Sequence, residues 1–303
     1  MAYKNFLFYI ILVLVAVACN KETIIIDGNN PPVYDKVPTI KIQNYVNRIF
    51  IDLLGREPLD VEMNLEVDNL RKANLSNSAR SILIKKLQHD TAFIDGDGSY
   101  KKAYSQYMYN LAKIRTIEGS SDGEINEQLG PLYNSLLLDS LNGDWEAFNK
   151  DKIEIDKYVQ LLACNDRLYK DEISYDQMFK RMIYNGIFDI INMNSINFVN
   201  ATFDHLLWRY PTSAELLTGY DIIEFNKPNQ LFGKSCSTKK EYVEALTETP
   251  EFFEGMIIWA YRTLLARDPL SQETSEILED YIFNRDIRLI QEHIMITDEY
   301  ANF

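Results

Sequence analysis

The chain of 303 residues has enough apolar material for a full core, since 46% of its residues are hydrophobic, and this composition excludes disorder of the whole chain. Its 31 basic and 45 acidic residues give a formal charge of -14, which disfavours nucleic acid and broad attachment to anionic lipid. Glycine and proline are scarce, at 12 and 9, and this scarcity favours helices over a β-sandwich or barrel with many tight turns.

Residues 1–18 have the features of a signal peptide, with Lys4 as the positive region and an apolar run at 6–17 that is too short for an ordinary membrane-spanning helix. Small residues directly precede Cys19, and this arrangement resembles the lipobox of bacterial lipoproteins, although Ala16 stands where leucine is usual. The resemblance implies that Cys19 becomes the lipidated first residue and anchors the chain in a membrane. Ordinary secretion with an incidental cysteine is the alternative.

Residues 19–38 are predicted to form a flexible tether, because the stretch 27–32 reads Asp-Gly-Asn-Asn-Pro-Pro and cannot hold a helix. Asn20, not aspartate, follows the cysteine, and by analogy with the enteric sorting rule this favours the outer membrane. Lys21 and Glu22 partly resemble the export signal of surface lipoproteins in the Bacteroidetes group. The expected location is therefore the outer membrane, on its periplasmic or cell-surface face.

The pattern Leu-Leu-x-Arg-x-Pro occurs three times, and each copy has a glutamate four residues after its proline. Apolar residues at helical spacing flank every copy, which predicts an all-α fold of repeated three-helix units. The motif residues are Arg56, Pro58 and Glu62 in copy one, Arg209, Pro211 and Glu215 in copy two, and Arg267, Pro269 and Glu273 in copy three.

The motif copies divide the chain into three helical repeats around a helical middle block. The first repeat is predicted at 39–95, the second at 196–254 and the third at 255–303. The middle block, at 96–195, lacks the motif but has apolar residues at helical spacing, which predict several helices, including a single one over 175–191. No linker rich in proline or serine separates it from copy two, so we expect it to pack with the repeats. Strands are expected to be few or absent.

The first repeat shows the plan of one unit. A helix at 40–54 ends at Gly55, because glycine accepts the left-handed conformation of a helix cap without penalty. Pro58 starts the next helix, with Asp60 as its predicted N-cap. Each repeat is predicted to close with a short polar step and an aromatic residue, and these residues are Phe93, Phe252 and Tyr300.

The motif arginines have two interpretations. In the structural one, each arginine bonds carbonyl groups at the end of the preceding helix, pairs with the glutamate of its own copy and braces the turn. In the functional one, the arginines contact a ligand or partner, but repetition at equivalent positions favours the structural interpretation. Copy two departs from the others at Trp208 and Tyr210. These are the candidate contact residues, because exposed Trp and Tyr serve sugar or protein recognition; packing in the core is the alternative.

No residue is predicted to be catalytic, to bind a cofactor or to ligate a metal. The stretch 95–99 reads Asp-Gly-Asp-Gly-Ser, but no glutamate closes a calcium loop there, so a turn is predicted. Cys164 and Cys236 could form one disulfide or stay free. The histidines have no metal-binding spacing; they are His89, His205 and His293.

A family resemblance rests on residues 45–58, which read Tyr-Val-Asn-Arg-Ile-Phe-Ile-Asp-Leu-Leu-Gly-Arg-Glu-Pro, and on the later segment 80–93. These segments resemble uncharacterised helical domains of bacterial exported and surface proteins. One such group occurs in planctomycete proteins beside cytochrome-like domains, and another in proteins of the surface-layer type. Phycobilisome linkers carry a related Leu-Gly-Arg-x-Pro element. The resemblance covers the first repeat and the two C-terminal repeats, and it implies a helical fold but no catalytic residues.

The sequence predicts a non-catalytic lipoprotein that binds or scaffolds a protein partner within an outer-membrane assembly and touches the membrane through Cys19. A glycan-binding lipoprotein that works beside an outer-membrane transporter is the first alternative, and an enzyme with an unrecognised site is the second. A flat apolar patch would favour a protein partner, and an exposed aromatic platform would favour a glycan. A deep pocket with a carboxylate or histidine of strongly perturbed pKa would favour an enzyme.

Overall fold

The computed structural model describes residues 37–303, and most of them lie in helices, which confirms the predicted all-α fold. The predicted signal peptide, Cys19 and nearly all of the predicted tether lie outside these residues. The first helices are α1 Thr39–Leu54, α2 Asp60–Lys72, α3 Asn77–His89, α4 Tyr100–Thr116, α5 Asp122–Glu127, α6 Leu129–Asn142, α7 Trp145–Leu162, α8 Cys164–Tyr169 and α9 Tyr175–Ile183.

The remaining elements include one short antiparallel hairpin between two helices, and its strands pair from Asn229 with Cys236 to Leu231 with Lys234. The elements are α10 Gly186–Asn192, α11 Ser195–Leu207, α12 Ser213–Phe225, β1 Asn229–Leu231, β2 Lys234–Cys236, α13 Lys239–Thr247, α14 Pro250–Leu265, α15 Ser271–Asn284, α16 Ile287–Met295 and α17 Asp298–Ala301.

Helix α1 places one apolar face in the core, because its large apolar residues recur three and four positions apart. This face packs against α2, α3 and α4. The buried residues of the face are Ile42, Tyr45, Val46, Ile49, Phe50, Leu53 and Leu54.

Helix α2 begins differently from the prediction. Its N-cap residue is Leu59, not Asp60, and the leucine side chain offers no hydrogen-bond acceptor. Glu62 fills that role, since its Oε2 accepts a hydrogen bond from Leu59 N at 2.7 Å. The acidic residue in the first turn, not an acidic cap, therefore satisfies the start of this helix.

The aromatic residue that closes the first repeat is also different from the prediction. Phe93 lies in a loop and is 80% exposed, so it closes no core. Tyr100, the first residue of α4, is buried and donates a hydrogen bond to Glu62 at 2.7 Å. Phe252 and Tyr300 are buried at the starts of α14 and α17. In each case the buried ring stands in the first turn of a helix, which is α4, α14 or α17.

The first repeat packs directly against the C-terminal helices, with α1 against α17 and α3 against α16. Tyr45 Oη donates to Met295 O at 2.9 Å, and Arg80 Nη1 donates to Ile296 O at 2.7 Å. Carbonyl groups at the end of a helix have no partner within that helix, so these bonds satisfy the end of α16. The beginning and the end of the described chain are therefore held together.

The middle block contains an antiparallel hairpin of α6 and α7. The turn is at Gly143, whose φ is 72°, and Asp144 then caps α7 by accepting a hydrogen bond from Ala147 N at 3.0 Å. Helix α6 packs mainly on α7, with further contacts to α5. Both of these partners belong to the middle block and not to a repeat.

The single helix predicted over 175–191 is two helices, α9 and α10. Asn185 begins the second one, because its side-chain oxygen accepts a hydrogen bond from Phe188 N at 3.1 Å. Gly186 follows it, and a Cβ there would lie 2.1 Å from Tyr158 Oη. Helical spacing of apolar residues continued across the break, which is why the prediction missed it.

The residue before each motif arginine ends the preceding helix in the left-handed conformation. Its φ is 72° at Gly55, 56° at Trp208 and 55° at Ala266. Glycine adopts this conformation freely, whereas a residue with a Cβ is strained by about 1–2 kcal/mol. Space also requires glycine in copy one, since a Cβ at Gly55 would lie 2.6 Å from Tyr107 Cδ2.

We expect Gly55→Ala and Ala266→Gly to change stability in opposite directions. Gly55→Ala adds a methyl group that overlaps the Tyr107 ring on a strained backbone, and should lower the free energy of unfolding by about 2 kcal/mol. Ala266 is exposed, so Ala266→Gly loses little packing and should raise that free energy by about 0.5–1 kcal/mol. Urea denaturation followed by circular dichroism measures both values. Destabilisation by Ala266→Gly would contradict the strain argument.

Candidate functional site

Each motif arginine forms a bidentate salt bridge with the glutamate of its own copy. Atoms Nη1 and Nη2 donate to the two carboxylate oxygens at distances from 2.7 to 2.9 Å. Two parallel charge-assisted hydrogen bonds fix the plane of the guanidinium relative to that of the carboxylate, so this geometry is stronger and more directional than a single contact. The pairs are Arg56 with Glu62, Arg209 with Glu215, and Arg267 with Glu273.

The same glutamate also starts the helix that follows the motif. One of its oxygens accepts a hydrogen bond from a backbone N–H that would otherwise have no partner. A single carboxylate therefore holds the arginine and begins the helix. The bonds run from Leu59 N to Glu62 at 2.7 Å, from Thr212 N to Glu215 at 2.8 Å and from Leu270 N to Glu273 at 2.6 Å.

A second carboxylate binds each motif arginine from further along the chain. These partners are Asp97 for Arg56, Glu251 for Arg209 and Glu299 for Arg267, at sequence separations of 41, 42 and 32 residues. Glu251 and Glu299 lie in the first turns of α14 and α17, whereas Asp97 lies in the turn at 95–99. Sequence reasoning missed this partner, although Thr249-Pro-Glu-Phe and Thr297-Asp-Glu-Tyr share a pattern that marks two of the three.

The backbone contacts of the motif arginines also differ from the expectation. Each arginine donates to the carbonyl of the next residue, which is Glu57, Tyr210 or Asp268, at 2.9, 3.2 and 3.0 Å. Other arginines hold the ends of the preceding helices. Arg115 donates to Asp204 O at 2.6 Å at the end of α11, and Arg48 donates to Leu264 O at the end of α14.

The motif arginines lower the pKa of their glutamates strongly in copies two and three. Hydrogen bonds from Arg209 and Arg267 lower the pKa of Glu215 and of Glu273 from 4.5 to about 2. Both carboxylates therefore stay ionised through the ordinary pH range, and their oxygens are already engaged. Groups of this kind are poor proton donors or acceptors for a reaction, so the geometry favours the structural interpretation of the motif.

The two candidate contact residues of copy two have different surroundings. Trp208 lies between two guanidinium groups, with Arg115 Cζ 3.9 Å and Arg262 Cζ 4.5 Å from its ring. The indole is half-buried and joins α4, α11 and α14. Tyr210, in contrast, is 72% exposed. Only Tyr210 therefore presents most of its ring to solvent.

The α6–α7 hairpin carries a group of exposed apolar side chains that sequence reasoning missed. Tyr133, Leu137, Leu138 and Leu141 of α6 and Trp145 of α7 are between 49% and 74% exposed. Three of them recur four residues apart and so lie on one side of α6. We call these five residues the hairpin face. The sequence feature that could have indicated this face is the composition of α6, which has six leucines and one charged residue among its 14 residues.

The remaining candidate residues do not form a site. Between residues 37 and 303, no three His, Cys, Asp or Glu side chains are grouped as a metal ion would require. Cys164 and Cys236 are buried free thiols. Each histidine faces a different charged partner; His89 lies 3.2 Å from Arg288, His205 lies 3.7 Å from Asp204, and His293 lies 4.0 Å from Glu276.

Comparison with known proteins identifies no relative, since no protein-family model, curated protein or solved structure matches the chain. Among the helices from Thr39 onward, none combines the length and the apolar character needed to cross a bilayer. The function must therefore follow from the chain's own surfaces and side-chain geometry.

We expect Arg267→Ala to destabilise the protein, because it leaves the carboxylates of Glu273 and Glu299 together without their shared cation. The free energy of unfolding at pH 7 should fall by about 1–3 kcal/mol. Lys234→Ala is the matched control, since Lys234 forms one exposed pair with Glu248 and its loss should cost about 0.5 kcal/mol or less. Thermal and urea denaturation measure both variants. Equal stability of Arg267→Ala and the wild type would refute the bracing role.

The cost of Arg267→Ala should also depend on pH. In the folded protein Glu273 stays ionised down to about pH 2, whereas in the unfolded chain it protonates near 4.5. The unfolded state therefore binds more protons in this window, and the stability from the pair is present above pH 4.5 and lost as pH falls towards 2. The difference between variant and wild type should shrink over the same window. A difference that stays constant from pH 5 to about 2.5 would contradict the linkage.

We expect Trp208→Ala and Tyr210→Ala to separate packing from surface contact. Trp208→Ala removes an aromatic ring from between two arginines and should lower the free energy of unfolding by about 2 kcal/mol. Tyr210→Ala should change it by less than about 0.5 kcal/mol, because the ring is mostly in solvent. Urea denaturation at neutral pH gives both values. A larger loss for Tyr210→Ala than for Trp208→Ala would show that the roles are reversed.

Proposed function

We propose that this chain is a non-catalytic, lipid-anchored protein of the outer membrane that holds a second protein through the hairpin face. The observation that carries the proposal is the exposure of apolar side chains on α6, where Leu137, Leu138 and Leu141 are all more than half exposed. Contiguous apolar patches on a folded surface mark interaction sites.

The energetic case rests on the leucines of the hairpin face. Complete burial of one leucine contributes about 1.5–3 kcal/mol, and these three are 58–74% exposed, so covering them would supply a part of the binding free energy that offsets the cost of association. Their spacing on one helix suits a partner helix that lies along α6. The face is carried by a regular hairpin with a capped turn, so little backbone order has to be created on binding.

The charge distribution indicates what kind of protein fits the face. Helix α6 has one charged residue, Asp139, so the face itself is nearly neutral. The whole chain carries a formal charge of -14, so two copies would repel each other at low ionic strength. The partner is therefore expected to be a different protein, with an apolar helix bordered by neutral or basic residues.

The membrane part of the proposal rests on the sequence around Cys19. A lipid on that cysteine would keep the chain at the membrane, and the predicted tether at 19–38 would let the folded part reach a neighbouring protein. The enzyme alternative finds less support, because the carboxylates with the most strongly lowered pKa, Glu215 and Glu273, are engaged in salt bridges with Arg209 and Arg267.

We expect Leu137→Glu with Leu141→Glu to abolish partner binding without unfolding the protein, because both side chains are exposed. Affinity-tagged lipidated protein would be recovered from its native envelope, and the proteins recovered with it would be identified by mass spectrometry. A purified partner should then bind the double variant at least tenfold more weakly, at about 1.4 kcal/mol or more.

The control for this experiment is Ile82→Glu with Ile190→Glu, since these side chains are 67% and 61% exposed but lie outside the hairpin face. The control should keep wild-type affinity. Equal loss in both double variants would point to a general effect of added charge. Recovery of a polysaccharide and no protein would overturn the proposal.

A further inference from the structure

A second surface, which the protein partner does not explain, is an open groove of about 970 Å³ between α7, α8, α9 and α13. Its volume lies at the upper end of the range of about 300–1,000 Å³ that is usual for ligand sites. Six basic side chains line it, and they are Lys152, Lys157, Arg167, Lys180, Arg181 and Lys240.

The charge of the groove is opposite to that of the chain. Three carboxylates line it, those of Asp156, Glu172 and Glu244, so the lining has an excess of three positive charges. The chain as a whole has a formal charge of -14. A concave surface with an excess of one sign of charge raises the local concentration of the opposite sign, so the groove attracts anions more than the acidic remainder of the surface does.

Half of the basic side chains are already engaged. Lys180 pairs with Glu244 at 2.7 Å, and Lys157 pairs with Glu154 at 2.6 Å. Arg181 Nη1 donates to Gln160 O at 3.4 Å. The contacts of Lys180 and Arg181 join α9 to α13 and to α7, whereas the Lys157 pair lies within α7. The other three cations are left to a ligand.

The other three basic side chains form no ion pair with any residue from 37 to 303; they are Lys152, Arg167 and Lys240. They stand on three elements, α7, α8 and α13, so no single helix accounts for them. Charges spread over three walls of one groove suit a ligand with several anionic groups along its length.

The polar lining favours a sugar chain over an acidic peptide. The side-chain amides of Asn149, Gln160 and Gln177 line the groove. Each makes one hydrogen bond within the chain, to Trp145 O, to Asp156 and from Ser174 N in turn, and keeps a second donor or acceptor for a hydroxyl group. Ile153 and Ile173 are the aliphatic residues of the lining, and in this open groove they form no enclosed apolar pocket of the kind that anchors a peptide. We infer that the groove binds a linear polysaccharide that carries carboxylate or sulfate groups.

Tyr184 is the aromatic residue of the groove lining. It lines the groove and is half-buried, and Lys157 Nζ lies 4.2 Å from its centroid. Because Lys157 covers one face of the ring, Tyr184 contributes mainly its hydroxyl group, which can donate or accept a hydrogen bond. The hairpin face and the groove are different surfaces that share α7, so one chain can hold a protein and a glycan.

The test measures binding of the full-length chain, held in detergent micelles, to defined oligosaccharides by calorimetry. Polygalacturonate fragments supply carboxylate groups, heparin fragments supply sulfate groups, and dextran is the neutral control. We expect the anionic fragments to bind and dextran not to bind. Raising the salt concentration should weaken binding, because screening acts on exposed charges. Preference for one anionic fragment would identify the acidic group that the groove selects.

The matched variants are Lys152→Gln with Lys240→Gln in the groove and Lys72→Gln with Lys102→Gln outside it. All four lysines are exposed, so each pair removes two charges with little effect on folding. The groove pair should weaken binding about tenfold, and the outside pair less than about twofold. Equal weakening by both pairs, equal binding of dextran, or tighter binding of polyglutamate than of either anionic sugar would overturn the inference.

Discussion

The motif arginine between two carboxylates is the interaction on which the rest of the fold depends. One planar guanidinium presents five donors in a fixed arrangement, and Arg209 uses them for five hydrogen bonds to two carboxylates and a carbonyl group, whereas a lysine has only three donors and no such plane. Arg209, for example, joins the start of α12 through Glu215 to the start of α14 through Glu251. The chain between the arginine and its second carboxylate differs in length among the three motif copies. Each arginine nevertheless keeps its two carboxylates and its backbone carbonyl.

The sequence predicts local features of this fold better than distant ones. The apolar spacing of α1 and the glycine at its end depend only on neighbouring residues, so both followed from pattern. The second carboxylate at Asp97 lies 41 residues from Arg56, and no local rule reaches that far. Phe93 was predicted to close the first repeat because its position in the chain matched Phe252 and Tyr300, but whether such a ring is buried depends on what packs over it.

The candidate surfaces were harder to predict for a related reason. Leucine-rich α6 has the composition of a buried helix, and only the packing of the whole chain shows that its face is uncovered. The groove brings together basic residues from α7, α8 and α13, which lie far apart in a sequence dominated by acidic residues. Composition predicts an acidic, polar surface on average. It does not reveal the apolar hairpin face or the basic groove on which the functional proposals rest.

The three tryptophans of the chain stand in three unlike surroundings. Trp145 is 60% exposed on the hairpin, Trp208 lies between two guanidinium groups, and Trp259 is 8% exposed and lies 5.4 Å from Phe179, measured between ring centroids. Indole emission shifts with the polarity of its surroundings, so the protein carries its own set of optical reporters. A partner on the hairpin face would change the emission of Trp145, separation of the two guanidinium groups would change that of Trp208, and unfolding of the core would change that of Trp259.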